Sequence, residues 1–166
     1  MRRIHDFFNR RDRFAAHSGV ELTEVGQGRA VARLRLDQKH LNGVDTAHGG
    51  AIFTLADLAF AAACNSHGTV AVAINASISY MKAAASGTLT AVAEETACNP
   101  RLGTYTVKIS DDSGDLVAIF QGMAYRKRDR LLETADPADP ADPVMPAESA
   151  GQADPADAAD QAPSGS

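Results

Sequence analysis

The sequence predicts an α+β fold in which a mainly antiparallel, curved sheet wraps around one long buried helix. The segment 47–65 is helical by composition and apolar on nearly all sides, as expected of a helix in a protein interior. Four of the five strand-like segments follow this helix in succession and are joined by short, glycine-containing links. That order favours antiparallel pairing over alternating β-α units.

The other elements are predicted from local periodicity. Ile4, Phe7, Phe8 and Phe14 recur at roughly helical spacing, which predicts one or two short helices at the N-terminus. Strands are predicted at 29–36, 70–80, 89–97, 105–110 and 117–125. The Asp-Asp-Ser-Gly sequence at 111–114 is typical of a hairpin turn between the last two strands.

Charge divides the chain after residue 132. Residues 133–166 contain 8 acidic residues, no Lys or Arg, and six of the seven prolines. This Ala/Asp/Pro-rich segment has almost no large apolar residues, so we predict a disordered acidic tail that serves as a solubilising appendage or a docking peptide. Residues 1–132 carry 16 basic and 13 acidic side chains and form the predicted globular domain.

The composition argues against several classes of protein. The globular domain has no strong basic excess, so duplex nucleic acid is not an expected partner. No apolar run is long enough to predict a membrane-spanning helix, and the arginine-rich N-terminus does not resemble a secretory signal. Two cysteines, Cys64 and Cys98, cannot form a disulfide framework. We therefore expect a soluble cytoplasmic protein with reduced thiols and no membrane partner.

One charged residue stands out in the predicted helix. Asp57 is the only formally charged residue between Thr46 and Met81, and it lies in the middle of an apolar segment. Aspartate is unfavourable inside a helix, and burying an unpaired carboxylate is costly. Asp57 either accepts hydrogen bonds from a neighbouring loop, lies on an exposed edge of the helix or serves catalysis, and the last interpretation is favoured.

The start of the same helix carries a second signal, His48-Gly49-Gly50. The first N–H groups of a helix have no internal partner and can stabilise an oxyanion, and glycine allows close approach to the backbone. Gly49 and Asp57 are eight residues apart, which is about 12 Å along a helix and about 80° around it. One helix therefore cannot present both groups to one carbonyl, whereas two helices related by a two-fold axis can. We predict a homodimer with the site at its interface.

The motif residues extend through the helix and the loop before it: Leu41-Asn42-Gly43, His48 to Asp57, Phe60-Ala61 and Cys64-Asn65. This pattern resembles the phenylacetic acid degradation thioesterases of the hotdog-fold acyl-CoA thioesterase superfamily. The similarity extends over about residues 15–127. The resemblance implies a dimer with a continuous sheet, commonly assembled into a tetramer. It also implies metal-free hydrolysis of aromatic acyl-CoA thioesters, such as phenylacetyl-CoA, in phenylacetate catabolism.

The resemblance also implies roles for individual residues. Asp57 would be the catalytic carboxylate, acting as nucleophile or general base, and the Gly49 N–H would polarise the thioester carbonyl from the other subunit. Asn42 would position the carbonyl or the attacking water, and His48 would shape its loop. Substrate contacts are expected from Gly50 and Lys82, and from either Asn75 or Ser77 on the strand after the helix. Further cations near predicted strand ends could bind the CoA phosphates: Arg101, Arg126, Lys127 and Arg128.

Three alternative functions remain open. They are a medium-chain acyl-CoA thioesterase, a hotdog dehydratase that pairs His48 with Asp57, and a non-catalytic acyl-CoA-binding module. A dinucleotide fold is not supported, because 26–28 lacks the third glycine of that motif. The five histidines show no ligand spacing with the cysteines, so no metal site and no cofactor are predicted.

Overall fold

The computed structural model describes residues 1–132, and the predicted acidic tail at 133–166 lies outside the described residues. Two short helices come first, and the long helix lies between the second and third strands. The helices are α1 (Arg2–Arg11), α2 (Arg13–His17) and α3 (Gly49–Asn65), with a short 3-10 helix at Gln38–His40. The strands are β1 (Val20–Gly26), β2 (Arg29–Arg35), β3 (Thr69–Tyr80), β4 (Thr88–Cys98), β5 (Leu102–Ser110) and β6 (Leu116–Arg130).

The six strands form one sheet in the order β1-β2-β4-β5-β6-β3, and every neighbouring pair is antiparallel. The α+β prediction is therefore confirmed, as is the hairpin between β5 and β6. The sequence analysis was wrong to predict five strands, because it missed β1. A bulge between Leu22 and Glu24 breaks the alternation of that strand, so its period-2 signal is lost halfway along. Strand β6 also extends beyond the predicted end, where Arg130 pairs with Thr69 of β3.

Helix α3 is the centre of the core, as predicted. Ten of its residues are buried, and the helix packs mainly against the face of the sheet formed by β2, β4 and β5. The Phe60 ring lies 5.6 Å from the rings of both Tyr105 and Phe120, in edge and tilted contacts. Gly122 makes room for this cluster, because a Cβ there would lie 2.8 Å from the Phe60 ring. The close approach of helix and sheet therefore depends on a glycine in β6.

One side of the molecule is left uncovered by residues 1–132. Strand β3 is hydrogen-bonded only to β6, so its other edge is free within the described chain. Val72 and Ile74 on this strand are 40% and 54% exposed, which is high for large apolar side chains. The adjoining side of α3, with Phe53 and Asp57, is only partly buried. An exposed apolar edge strand usually requires a partner. None of the helices in residues 1–132 is both long and apolar enough to cross a membrane.

Candidate active site

The N-terminus of α3 presents one backbone donor without an acceptor. His48 caps the helix: its Nδ1 accepts a hydrogen bond from the Gly50 N–H at 2.9 Å. Its carbonyl oxygen accepts from the N–H groups of Ala51 and Ile52 at 2.9 and 3.2 Å. Within residues 1–132, the Gly49 N–H alone of this first turn has no hydrogen-bond partner. It therefore remains available at the positive end of the helix dipole.

Tyr80, at the end of β3, lies directly against this helix start. Its hydroxyl donates to the Gly49 carbonyl oxygen at 2.9 Å, and a Cβ on Gly49 would lie 2.9 Å from the same hydroxyl. Partial burial raises the pKa of Tyr80, so the phenol is protonated and acts as a donor. The sequence analysis did not select Tyr80, because contact between residues 31 positions apart leaves no local pattern.

Asp57 lies about two turns further along α3, on the partly buried side of the helix that also carries Phe53. Its pKa is raised, first by desolvation on burial and second by the negative charge of Asp12. No hydrogen bond contributes to that shift, so the hydrogen-bonded loop contact considered above is absent among the described residues. Asp12, which caps α2 through the Ala15 N–H at 2.9 Å, is a neighbour that the sequence analysis missed. A desolvated carboxylate without donors is typical of a functional group.

The continuous helix keeps Gly49 and Asp57 apart within one chain. Both lie on α3, which runs without interruption from Gly49 to Asn65. Eight residues on such a helix correspond to about 12 Å. The structure of the single chain therefore does not bring the two groups to one point.

Asn42 organises the loop that leads into the helix. Its Oδ1 accepts from the N–H groups of Val44 and Thr46 at 3.0 and 3.2 Å, and its Nδ2 donates to the Thr46 hydroxyl at 3.0 Å. Asp45 in this loop has a φ of 58°, a left-handed conformation that such a tight turn requires. In the single chain the Asn42 amide thus holds the loop and does not reach Asp57.

Buried His40 anchors the loop to the body of the protein. Its ring Nδ1 accepts from the Asp37 N–H at 3.0 Å, and its Nε2 lies 2.8 Å from the Ser18 carbonyl oxygen. Its own carbonyl oxygen accepts from the His48 N–H at 2.7 Å. These bonds fix the position of His48 and, through it, the first turn of α3.

A cavity of about 470 Å³ opens beside this first turn. Phe14 from α2 and Phe53 from α3 supply most of its aromatic surface, and His40 contributes a polar wall. His48 and Gly50 lie at the helix end of the same cavity. The cavity thus joins polar groups at the start of α3, next to Gly49, to apolar surface.

The remaining predicted contact residues lie on or just after β3. Asn75 and Ser77 are exposed on that strand and pair in register with Met123 and Gln121 of β6. Lys82 follows the strand, and its Nζ lies 2.7 Å from an Asp111 oxygen and 2.6 Å from an Asp115 oxygen. Hydrogen bonds to these two carboxylates raise the pKa of Lys82. Its charge is therefore already paired within the chain.

The other predicted cations converge at the far end of β6. A cavity of about 300 Å³ is lined by Pro100, Arg101, Tyr125, Arg126, Lys127 and Arg128. Arg101 donates to the Tyr125 hydroxyl at 2.9 Å across its mouth. Within residues 1–132, the lining contains four basic residues and no acidic one, a composition suited to an anion.

Comparison with known proteins agrees with this fold. Residues 45–118 match the family model described as the thioesterase superfamily. A putative esterase from Archaeoglobus fulgidus is 38% identical over 127 residues, which cover 76% of this chain and 82% of that protein. The acyl-coenzyme A thioesterase PaaI of Escherichia coli is 36% identical over 116 residues, 69% of this chain and 83% of that protein.

Solved structures show the same relationship. The structure of E. coli PaaI, from the phenylacetic acid degradation operon, matches with a TM-score of 0.72 at 34% identity over 76% of this chain and 91% of that chain. A hypothetical thioesterase from Streptococcus pneumoniae, solved with coenzyme A, matches with a TM-score of 0.67 at 26% identity over 75% of this chain and 98% of that chain. The chain belongs to the thioesterase superfamily, as a hotdog-fold thioester hydrolase of the PaaI type. The resemblance stated from the sequence motif is thereby confirmed.

Proposed function

We propose that this thioester hydrolase acts on acyl-CoA, with phenylacetyl or hydroxyphenylacetyl as the acyl group, and releases CoA during phenylacetate breakdown. The observation that carries the proposal is the pair of groups on α3, the uncovered Gly49 N–H and the desolvated Asp57 carboxylate. The relatives support the substrate class, because E. coli PaaI is described as an acyl-CoA thioesterase and the S. pneumoniae structure contains coenzyme A. The aromatic acyl group rests on the phenylacetic acid operon of the E. coli relative.

The site is completed by a second copy of the chain. In a two-fold dimer joined along β3, Asp57 of the partner subunit lies opposite Gly49, and each dimer has two equal sites. The free edge of β3, its exposed Val72 and Ile74, and the uncovered side of α3 support this interface. Pairing of the dimers would give the tetramer implied by the family resemblance.

The chemistry follows from these two groups. The Gly49 N–H donates to the thioester carbonyl oxygen and stabilises the oxyanion that forms when the carbonyl carbon is attacked. The partner's Asp57 either attacks directly, forming an anhydride that water then opens, or removes a proton from the attacking water. Either route breaks the carbon–sulfur bond and releases the CoA thiol and the free acid. The raised pKa of Asp57 suits it to general-base action.

The supporting residues keep the donor in place. His48 caps Gly50 and leaves Gly49 free, while Tyr80 holds the Gly49 carbonyl oxygen and so orients the peptide that precedes Gly50. Asn42 shapes the loop before the helix and would reach the reacting carbonyl or water only by exchanging a bond with Thr46.

The two cavities suit the two ends of an acyl-CoA. The cavity beside Phe14 and Phe53 offers apolar walls for the acyl group. The basic cavity offers cations for the CoA phosphates, and Arg101 and Lys127 are better placed for them than Lys82, which is paired with two carboxylates. Asn75 and Ser77 would contact the substrate from the exposed strand β3.

The primary test is thiol release from phenylacetyl-CoA and octanoyl-CoA. Wild type is compared with Asp57→Asn, and Glu24→Gln, an exposed acid on β1, is the matched control. Turnover that is lost in Asp57→Asn and kept in Glu24→Gln supports a catalytic carboxylate, and the preferred substrate distinguishes an aromatic from a medium-chain enzyme. A folded wild type that hydrolyses neither substrate would contradict the proposal.

Mixed dimers test the shared site. Asp57→Asn and Gly49→Pro each remove one of the two groups, and neither variant alone should be active. Random mixing of the two chains should restore about a quarter of the wild-type activity, because half of the dimers are mixed and each has one intact site. No recovery, with mixed dimers demonstrated by mass spectrometry, would place both groups in one subunit and refute the shared site.

A further inference from the structure

The strongest cluster outside the proposed active site lies where the turn after α3 meets the end of β4. It consists of His67, Glu95 and Cys98, whose ligand atoms all lie within 4.8 Å of one another. We propose that these three side chains form a binding site for a divalent transition metal of the zinc class. The sequence analysis predicted no metal site, because the ligands are not closely spaced along the chain and only the fold brings them together.

The ligand types suit zinc. Imidazole nitrogen, carboxylate oxygen and thiolate sulfur are the donors that Zn²⁺ prefers, at about 2.0–2.3 Å. Ligand atoms of a tetrahedral site therefore lie about 3.3–3.7 Å from each other, and the three ligand atoms here all lie within 4.8 Å of one another. Cys98 is exposed, and its sulfur would turn from the Arg126 guanidinium and the Asn99 carbonyl oxygen to reach a metal; the fourth position can be taken by water.

The carboxylate is held ready by neighbours. Glu95 Oε2 lies 2.5 Å from His67 Nε2 and accepts a hydrogen bond from the Tyr105 hydroxyl at 2.8 Å. A metal ion would replace the proton between His67 and Glu95, while Tyr105 would remain as the second partner of the carboxylate. Such outer hydrogen bonds orient metal ligands in known sites.

Gly28 shows how closely Glu95 is packed. A Cβ at Gly28 would lie 3.0 Å from the Glu95 Cβ, and Gly28 has a φ of 66°. The glycine thus leaves room for the Glu95 side chain next to the turn between β1 and β2, and the Glu95 carboxylate lies between this turn and His67. The turn itself is fixed by the Gly28 N–H, which donates to the Ser66 hydroxyl at 2.7 Å.

Arg126 opposes metal binding and therefore provides a diagnostic test. Its Nη1 lies 3.0 Å from the Cys98 sulfur and also donates to the Asn99 carbonyl oxygen at 2.9 Å. The guanidinium keeps the second bond when the sulfur turns to a metal, but its positive charge weakens cation binding. Removing this charge should consequently raise the metal affinity, which a merely structural role for the cluster would not predict.

The test uses the full-length reduced protein with Zn²⁺ in competition with a chromophoric chelator, and with Co²⁺ as a spectroscopic probe. Wild type is compared with Cys98→Ala and His67→Ala. Cys64→Ala and His5→Asn are the matched controls, since neither residue is in the cluster. Thermal unfolding without metal confirms that each variant is folded.

We expect one Zn²⁺ per chain and a thiolate-to-cobalt charge-transfer band in wild type. Cys98→Ala should lose the band, and both ligand variants should bind Zn²⁺ at least about 100-fold more weakly, since even the loss of an outer partner costs 10–100-fold. Arg126→Gln should bind more tightly than wild type. Absence of Zn²⁺ binding by wild type would overturn the proposal. If Cys98→Ala and His67→Ala bound Zn²⁺ as tightly as wild type does, the proposal would be overturned too. That result is expected if only the acidic residues of 133–166 bind the ion.

Discussion

Replacing Gly49 by proline removes the proposed oxyanion donor while leaving the helix start intact. Proline is favoured at the first position of a helix, where its missing N–H would be unpaired in any case. The preceding residue must be extended, and His48 already has φ −61° and ψ 134°. Gly49 is the first residue of α3 and its φ is not positive, so the backbone accepts proline. Gly49→Ala is the matched control, because it adds the same Cβ and retains the N–H.

The size of both effects follows from the structure. A Cβ on residue 49 would lie 2.9 Å from the Tyr80 hydroxyl, about 0.5 Å closer than ordinary contact. Tyr80 is 51% exposed and can swing away, so each variant should lose about 0.5–1.5 kcal/mol of stability, roughly the value of one hydrogen bond. The N–H donor itself is worth about 2.7–4 kcal/mol in the transition state. Gly49→Pro should therefore have a kcat about 10²–10³-fold below that of Gly49→Ala.

The assay is the steady-state release of thiol from phenylacetyl-CoA, with unfolding followed by circular dichroism on the same preparations. The two variants should unfold at similar denaturant concentrations and differ in kcat. A Gly49→Pro enzyme as active as Gly49→Ala would refute the oxyanion role of this N–H. A Gly49→Pro protein much less stable than Gly49→Ala would refute the description of the helix start.

Three further predictions concern the core and the carboxylate. Asp57→Asn should stabilise the protein near neutral pH. Because the pKa of Asp57 is raised in the folded state, the stability of the wild type falls as the pH rises from the pKa of the unfolded state to that of the folded state, and asparagine avoids this loss. Urea unfolding from pH 3 to 8 checks this, and an advantage that does not grow with pH would contradict it. Gly122→Ala should cost about 1–3 kcal/mol by overpacking against Phe60, and a Tm equal to that of wild type would refute the close helix–sheet contact. Asn65→Ala should lower the free energy of unfolding by about 1–3 kcal/mol or more, because the buried Asn65 amide accepts from the Ala71 N–H at 2.8 Å and donates to the Ala71 carbonyl oxygen at 3.1 Å. Unchanged urea unfolding would exclude that role.

The sequence determined those features that depend on local periodicity and residue type. The buried helix was predicted at 47–65 and occurs at Gly49–Asn65, because an apolar segment without a polar side is stable only in the interior. Asp57 could be selected because one charge in an uncharged segment is anomalous whatever its surroundings. The glycines at the helix start could also be recognised from the local sequence, and the motif to which they belong identified the family.

Tertiary structure decided which distant groups meet. The hydrogen bonds of Tyr80 with Gly49 and of His67 with Glu95, and the effect of the Asp12 charge on Asp57, involve residues 28–45 positions apart, and such pairs leave no periodic signal in one sequence. Lys82 was predicted to contact the substrate, and the structure pairs it with the carboxylates of Asp111 and Asp115. This pairing also joins residues that are distant in the chain, so no local pattern in the sequence indicates it.

Strand β1 was missed because a bulge interrupts its alternation, and the position of β3 at the sheet edge follows from pairing rather than from composition. Periodicity reports only which side of each element is buried, whereas pairing and packing select the neighbour that buries it.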